Sequence, residues 1–91
     1  MTAILVTYDL NTPGQDYSTL HKAIKEAGSS WWHYLDSTWI VSGYGLTAAD
    51  VSAALLPHMD KNDNLLVLNI SGDTYSGWLS QDAWDWIKKS V

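Results

Sequence analysis

The chain has no cysteine, no arginine and no phenylalanine, and only two prolines. Without cysteine there is no disulfide, no thiolate metal ligand and no cysteine nucleophile, so packing alone must hold the fold. Without arginine the bidentate fork that clamps phosphate and reads guanine is missing. Five Lys face ten acidic residues, giving a formal net charge of -5. Affinity for nucleic acid comes mainly from clustered cations, so direct nucleic-acid binding is disfavoured. No apolar run approaches the roughly 20 residues of a membrane span, and the start lacks the basic and apolar segments of a secretion signal. These absences lead us to expect a soluble cytoplasmic protein with no membrane partner. P-loop, dinucleotide, HExxH and Cys/His metal patterns are also missing, which sets aside nucleotide hydrolysis and zinc chemistry.

The chain is nevertheless rich in core-forming residues. With 91 residues, 46% of them hydrophobic and 16% charged, it has material for one domain with a sizeable core. Six Trp and five Tyr give every aromatic ring other than histidine a polar handle, the kind favoured at half-wet interfaces.

Residues 3–10, AILVTYDL, read as a first strand stopped by Asn11-Thr12-Pro13-Gly14. Asp16 can cap a helix whose apolar stripe is Tyr17, Leu20, Ile24 and Ala27, with Gly28 placed to end it. Two β-rich segments, Trp31 to Leu35 and Thr38 to Tyr44, flank Asp36-Ser37 and predict a hairpin. Thr47 is a good N-cap, Leu46 can staple onto Val51, and Pro57 ends or kinks the second helix near Leu56. Leu65 to Ser71 is a fourth strand with apolar residues on both faces. Ser80 caps a last helix with Asp82 near its start and Lys88 and Lys89 near its end.

The order βαββαβ predicts an α+β, ferredoxin-like domain: one antiparallel sheet with two helices on one face, plus a C-terminal amphipathic helix. Residues 1–71 carry the core and 72–91 a loop and the last helix. In this topology the fourth strand is an edge, and apolar residues on both of its faces call for a cover. The candidates are the last helix, with Trp78, Trp84, Trp86 and Ile87, and a second copy of the chain stacking its sheet against this one, and both are expected to act together.

Several segments resemble the small CRISPR-associated proteins that form ferredoxin-like homodimers and act as adaptation scaffolds or metal-dependent endoribonucleases. They are Val6-Thr7-Tyr8-Asp9-Leu10, Trp39-Ile40-Val41 after Ser37, the helix at Thr47 and Asp63-Asn64-Leu65. The virulence-associated D toxins share that scaffold, and the SinR-like group of small bacterial and phage proteins is similar in the segment from Trp32 to Trp39. The resemblance implies a homodimer in which Asp9, with its mate from the other subunit, binds Mg²⁺ or Mn²⁺ beside Tyr8 and Ser37. Such hard cations take oxygen ligands and need only one or two carboxylates. The alternative for Asp9, and the favoured one, is a strand-end carboxylate that accepts loop amide hydrogens.

Other residues carry possible chemistry. His33, Asp36 and Ser37 lie around one turn, where a carboxylate can orient an imidazole; ordinary hairpin hydrogen bonding is the alternative. His58 and Asp60 offer two metal ligands or a helix terminus. Gly72 to Trp78 is a loop with aromatic tips, either a recognition element or a connector. Three functions follow. The preferred one is a non-catalytic homodimeric interaction module, phage- or defence-related, whose acidic surface meets a basic partner that processes nucleic acid, with Tyr75 and Trp78 among its contacts. The second is the Asp9 nuclease. The third is a small-ligand binder that stacks its ligand on Trp31, Trp39, Tyr44 and Tyr75.

Overall fold

The computed structural model describes residues 1–11, 14 and 16–91. The chain runs β1 (Thr2–Asp9), α1 (Ser18–Ala27), β2 (Ser30–Leu35), β3 (Thr38–Gly43), α2 (Ala48–Leu55), β4 (Asn64–Asn69) and α3 (Gln81–Ser90). The domain is α+β, with one antiparallel sheet in the order β2-β3-β1-β4. Thr12 and Pro13 of the expected stop after the first strand lie outside the described residues.

Side chains alternate across the pleat, so the two faces of the sheet carry different sets. Ile4, Val6 and Tyr8 of β1 and Trp39 and Val41 of β3 pack against Leu20 and Ile24 of α1 and Val51 and Leu55 of α2. Leu46 packs on this cluster, of which Val51 is a member. The opposite face holds Ala3, Trp32 and Ile40 against Ala83 and Ile87 of α3. Two indoles lock α3 down: Trp32 Nε1 donates to the Ala83 carbonyl at 3.2 Å and Trp86 Nε1 to Ser30 Oγ at 2.7 Å.

The caps follow the sequence with two adjustments. Thr47 Oγ1 accepts from Asp50 N–H at 3.0 Å, and α2 gives way to a 3-10 turn at Leu56–His58 that contains Pro57. Asp16 accepts Ser18 N–H at 2.9 Å, but α1 begins at Ser18 and Tyr17 holds the N-cap position. Gly28 does not end α1 through a left-handed conformation, since its φ is -132°. It is needed for room: a Cβ there would lie 2.6 Å from the Ser42 carbonyl oxygen.

The fourth strand is apolar on both faces, but α3 covers only part of what this exposes. Leu65 and Val67 join the α1/α2 cluster. Leu66 and Leu68, on the α3 face, remain 54% and 45% exposed because α3 sits over β2, β3 and the start of β1. Among the described residues no helix is long and apolar enough to cross a membrane.

Candidate functional site

The end of β1 brings the backbones of Tyr8, Asp9 and Ser37 together, with the side chains of Tyr8 and Asp9 on opposite faces. Tyr8 N–H donates to the Ser37 carbonyl at 3.1 Å. Tyr8 points to the α1/α2 face, whereas Asp9 points the other way and pairs with Asn64 across the ladder. The phenol is 8% exposed and already engaged: Trp39 Nε1 donates to Tyr8 Oη at 3.0 Å, and His21 Nε2 lies 3.3 Å from the same oxygen. Within one protomer the Tyr8 phenol and the Asp9 carboxylate therefore do not share a site. Tyr8 is a packing and hydrogen-bonding residue.

The strand-end role considered for Asp9 belongs to Asp63. Its carboxylate accepts Asn11 N–H at 2.8 Å, Asp60 N–H at 2.8 Å and the Tyr17 hydroxyl at 2.7 and 2.9 Å. Desolvation works against its ionisation, but the hydrogen bonds from Asn11, Tyr17 and Asp60 outweigh it and hold the carboxyl below its ordinary pKa. Asp9, by contrast, is exposed, and among the described residues no hydrogen bond or ion pair reaches its carboxylate. It stands beside a shallow depression of about 270 Å³ lined by Thr7, Asn64 and Leu66. No three His, Cys, Asp or Glu side chains among the described residues group to hold a metal ion.

The other histidine–carboxylate pairs give ordinary turn hydrogen bonds, the alternative named for the hairpin. His33 Nε2 meets the main-chain carbonyl of Asp36 at 3.0 Å rather than its carboxylate. A carbonyl only accepts, so this nitrogen carries the proton. Asp60 accepts Asn62 N–H at 3.0 Å in a tight turn, the loop role that competes with metal binding alongside His58.

The aromatic residues do not form one ligand pocket. Trp39 is 1% exposed and serves as core rather than as a stacking surface. His33 lies flat on it at 3.6 Å and 10°, and Trp31 packs 5.5 Å away with Lys25 Nζ 4.8 Å above its ring. Tyr75 is on the opposite side of the sheet, stacked on Trp84 at 5.9 Å. Tyr44 lies exposed just beyond β3, and Trp78 is 98% exposed.

The sequence reading missed the contact between Tyr8 and His21. Its signal is present in hindsight: His21 and Lys25 are one helical turn apart, and Trp31 and His33 share one face of β2. An indole nitrogen only donates, so Tyr8 Oη accepts from Trp39 and its own proton is available to His21 Nε2. Partial burial, followed by the nearby charges of His33 and Lys25, lowers the His21 pKa and favours the neutral ring that this bond needs.

The remaining feature is the open edge at β4. Ile70 N–H donates inward to the Ala3 carbonyl at 2.9 Å. By alternation along the ladder, the main-chain groups of Leu65, Val67 and Asn69 point away from the sheet. Strand β4 carries no charge, proline or register break, the devices that usually protect an edge. The opposite edge, β2, has a register shift between Trp32 and Leu35. Exposed leucines thus lie next to a row of backbone groups unpaired among the described residues, and an apolar hollow of about 240 Å³ between Leu5, Ile70, Tyr75 and Ile87 occupies the same face.

No family model, no curated protein and no solved structure matches this chain.

Proposed function

We propose that the chain is a non-catalytic protein-interaction module that works as a homodimer on a ferredoxin-like scaffold and docks through β4. The scaffold reading is supported by the sheet order β2-β3-β1-β4 with α1 and α2 against one face. The docking reading is carried by one observation: Leu66 and Leu68 stand exposed on an uncharged edge strand without the usual guards. The net charge of -5 directs any further partner toward a basic surface, of the kind found on proteins that process nucleic acid. The likeness to the small CRISPR-associated family, and the phage or defence setting it implies, rests on the residues quoted for it.

Sedimentation velocity over a concentration series tests this reading. The wild type is expected to be a dimer and the Leu66→Asn/Leu68→Asn double variant a monomer with an unchanged circular dichroism spectrum. A wild type that stays monomeric at all concentrations and retains no partner in a pull-down refutes it.

A second reading, a Mg²⁺- or Mn²⁺-dependent nuclease, is favoured by the free, exposed carboxylate of Asp9. Wild type and Asp9→Asn, purified identically and offered RNA and DNA substrates with each metal, decide it. Cleavage lost in the variant supports the reading, and equal inactivity or equal trace activity sinks it.

A further inference from the structure

We propose that two copies pair β4 with β4 antiparallel about a two-fold axis through Val67, joining their sheets into one of eight strands. This rests on the docking reading above and specifies its partner and register. A two-fold perpendicular to the sheet keeps α1 and α2 of both copies on the same side, so residues opposite one another must share a face. The axis can then pass through Leu66, Val67 or Leu68.

Backbone hydrogen bonding selects among the three. An axis at Leu66 would bring Asn69 opposite Asp63, whose N–H already donates to the Asp60 carbonyl at 3.0 Å. An axis at Leu68 would bring Leu65 opposite Ser71, whose N–H already donates to Asn69 Oδ1 at 3.0 Å. With the axis at Val67, Leu65 faces Asn69 at both ends and Val67 faces its own copy. All the outward backbone groups of β4 are then used in about six hydrogen bonds.

The same register places Leu66 of one copy directly opposite Leu68 of the other, so the four exposed leucines close over one another on the α3 face. Charge agrees as well. Lys61 and Asp73 are equally far from Val67 in sequence, so the turn bearing Lys61 in one copy approaches the turn bearing Asp73 in the other. Neither side chain has an ion pair or hydrogen bond among the described residues.

Engineered crosslinks read the register directly, in a chain with no other cysteine. Opposed positions of this non-hydrogen-bonded type have Cα atoms roughly 4.5 Å apart, within reach of a disulfide, whereas Leu66 and its own copy would be roughly 8 Å apart. L66C mixed with L68C is expected to form a heterodimeric disulfide on mild oxidation, while each variant alone stays largely uncrosslinked. Rapid crosslinking of L66C alone places the axis at Leu66 and overturns the register while leaving the β4 dimer. A dimeric wild type without any β4 crosslink overturns this interface but not a homodimer. A monomeric wild type, with no crosslink in the mixture, overturns both.

Discussion

Replacing Tyr8 by Phe deletes one oxygen from the centre of the domain, and the cost follows from what that oxygen holds. Trp39 Nε1 donates to it at 3.0 Å from an indole that is 1% exposed. In the variant that N–H stays in place, because the ring is fixed between His33 and the core, and it finds no water. Leaving a buried donor unpaired costs about 1–3 kcal/mol. The His21 side adds little, since that ring is only half-buried and can turn its nitrogen to solvent.

A total of about 2 kcal/mol corresponds to a drop in Tm of roughly 8–16 °C for a domain of this size. Urea unfolding followed by circular dichroism should show a lower midpoint with an unchanged m-value. Trp39→Phe removes the donor as well as some ring volume. In the double variant no orphaned group remains, and the two losses should therefore fall short of additivity by about 1 kcal/mol. A Tyr8→Phe change smaller than about 0.5 kcal/mol, or strict additivity in the cycle, would refute the view that this phenol is structural.

Substitutions at four other sites, two of them read as a function of pH, give the remaining tests. Gly28→Ala should destabilise by about 1–3 kcal/mol in urea unfolding, because its Cβ would meet the Ser42 carbonyl oxygen at 2.6 Å and that oxygen is backbone. Thr47→Ala should cost about 1 kcal/mol by the same assay through loss of the bond to Asp50 N–H, with Thr47→Ser largely restoring it. The pKa of His21 is lower in the folded than in the unfolded chain, so its contribution is complete above pH of about 6.5 and is lost as pH falls toward the folded value. His21→Gln should flatten that part of a Tm-versus-pH curve. Asp63 is lowered from the ordinary carboxylate value, so its contribution is present above about pH 3.9 and fades below it; Asp63→Asn should remove that acid limb.

Local signals carried the helices and strands well because each is written in adjacent residues. Thr47 with Asp50 and Pro57 bracket α2, and the alternation of Ile4, Val6 and Tyr8 marks the buried face of β1. The apolar character of β4 on both faces was equally legible, and it led to the open edge. Long-range chemistry was not. Nothing near Asp9 in the chain says that Asp63 will take the amides of the neighbouring turns, because that depends on β1 and β4 being adjacent. Trp39 reads as a stacking surface in one dimension, since its burial arises only when α1 and β2 close over it. Gly28 looked like a helix stop, and the backbone of β3, remote in sequence, is what requires it.

The dimer inferred from β4 and a nuclease built on paired Asp9 residues make incompatible demands on the same molecule. Asp9 lies opposite Asn64, three residues from Val67. With an axis at Val67, the two Asp9 residues are displaced along the strands by about 20 Å and across three strand spacings by about 14 Å, or about 25 Å in all. A shared Mg²⁺ needs ligand oxygens only about 2 Å from the ion, so the two carboxylates would have to come within a few ångströms of each other. No adjustment of side chains closes that gap. If L66C and L68C crosslink in the expected register and Asp9→Asn still abolishes cleavage, the metal must be held by one Asp9 with water and substrate oxygens, and paired carboxylates play no part. If cleavage instead depends on Asp9 from both subunits, the sheets must meet elsewhere, and Leu66 and Leu68 remain open for a different protein.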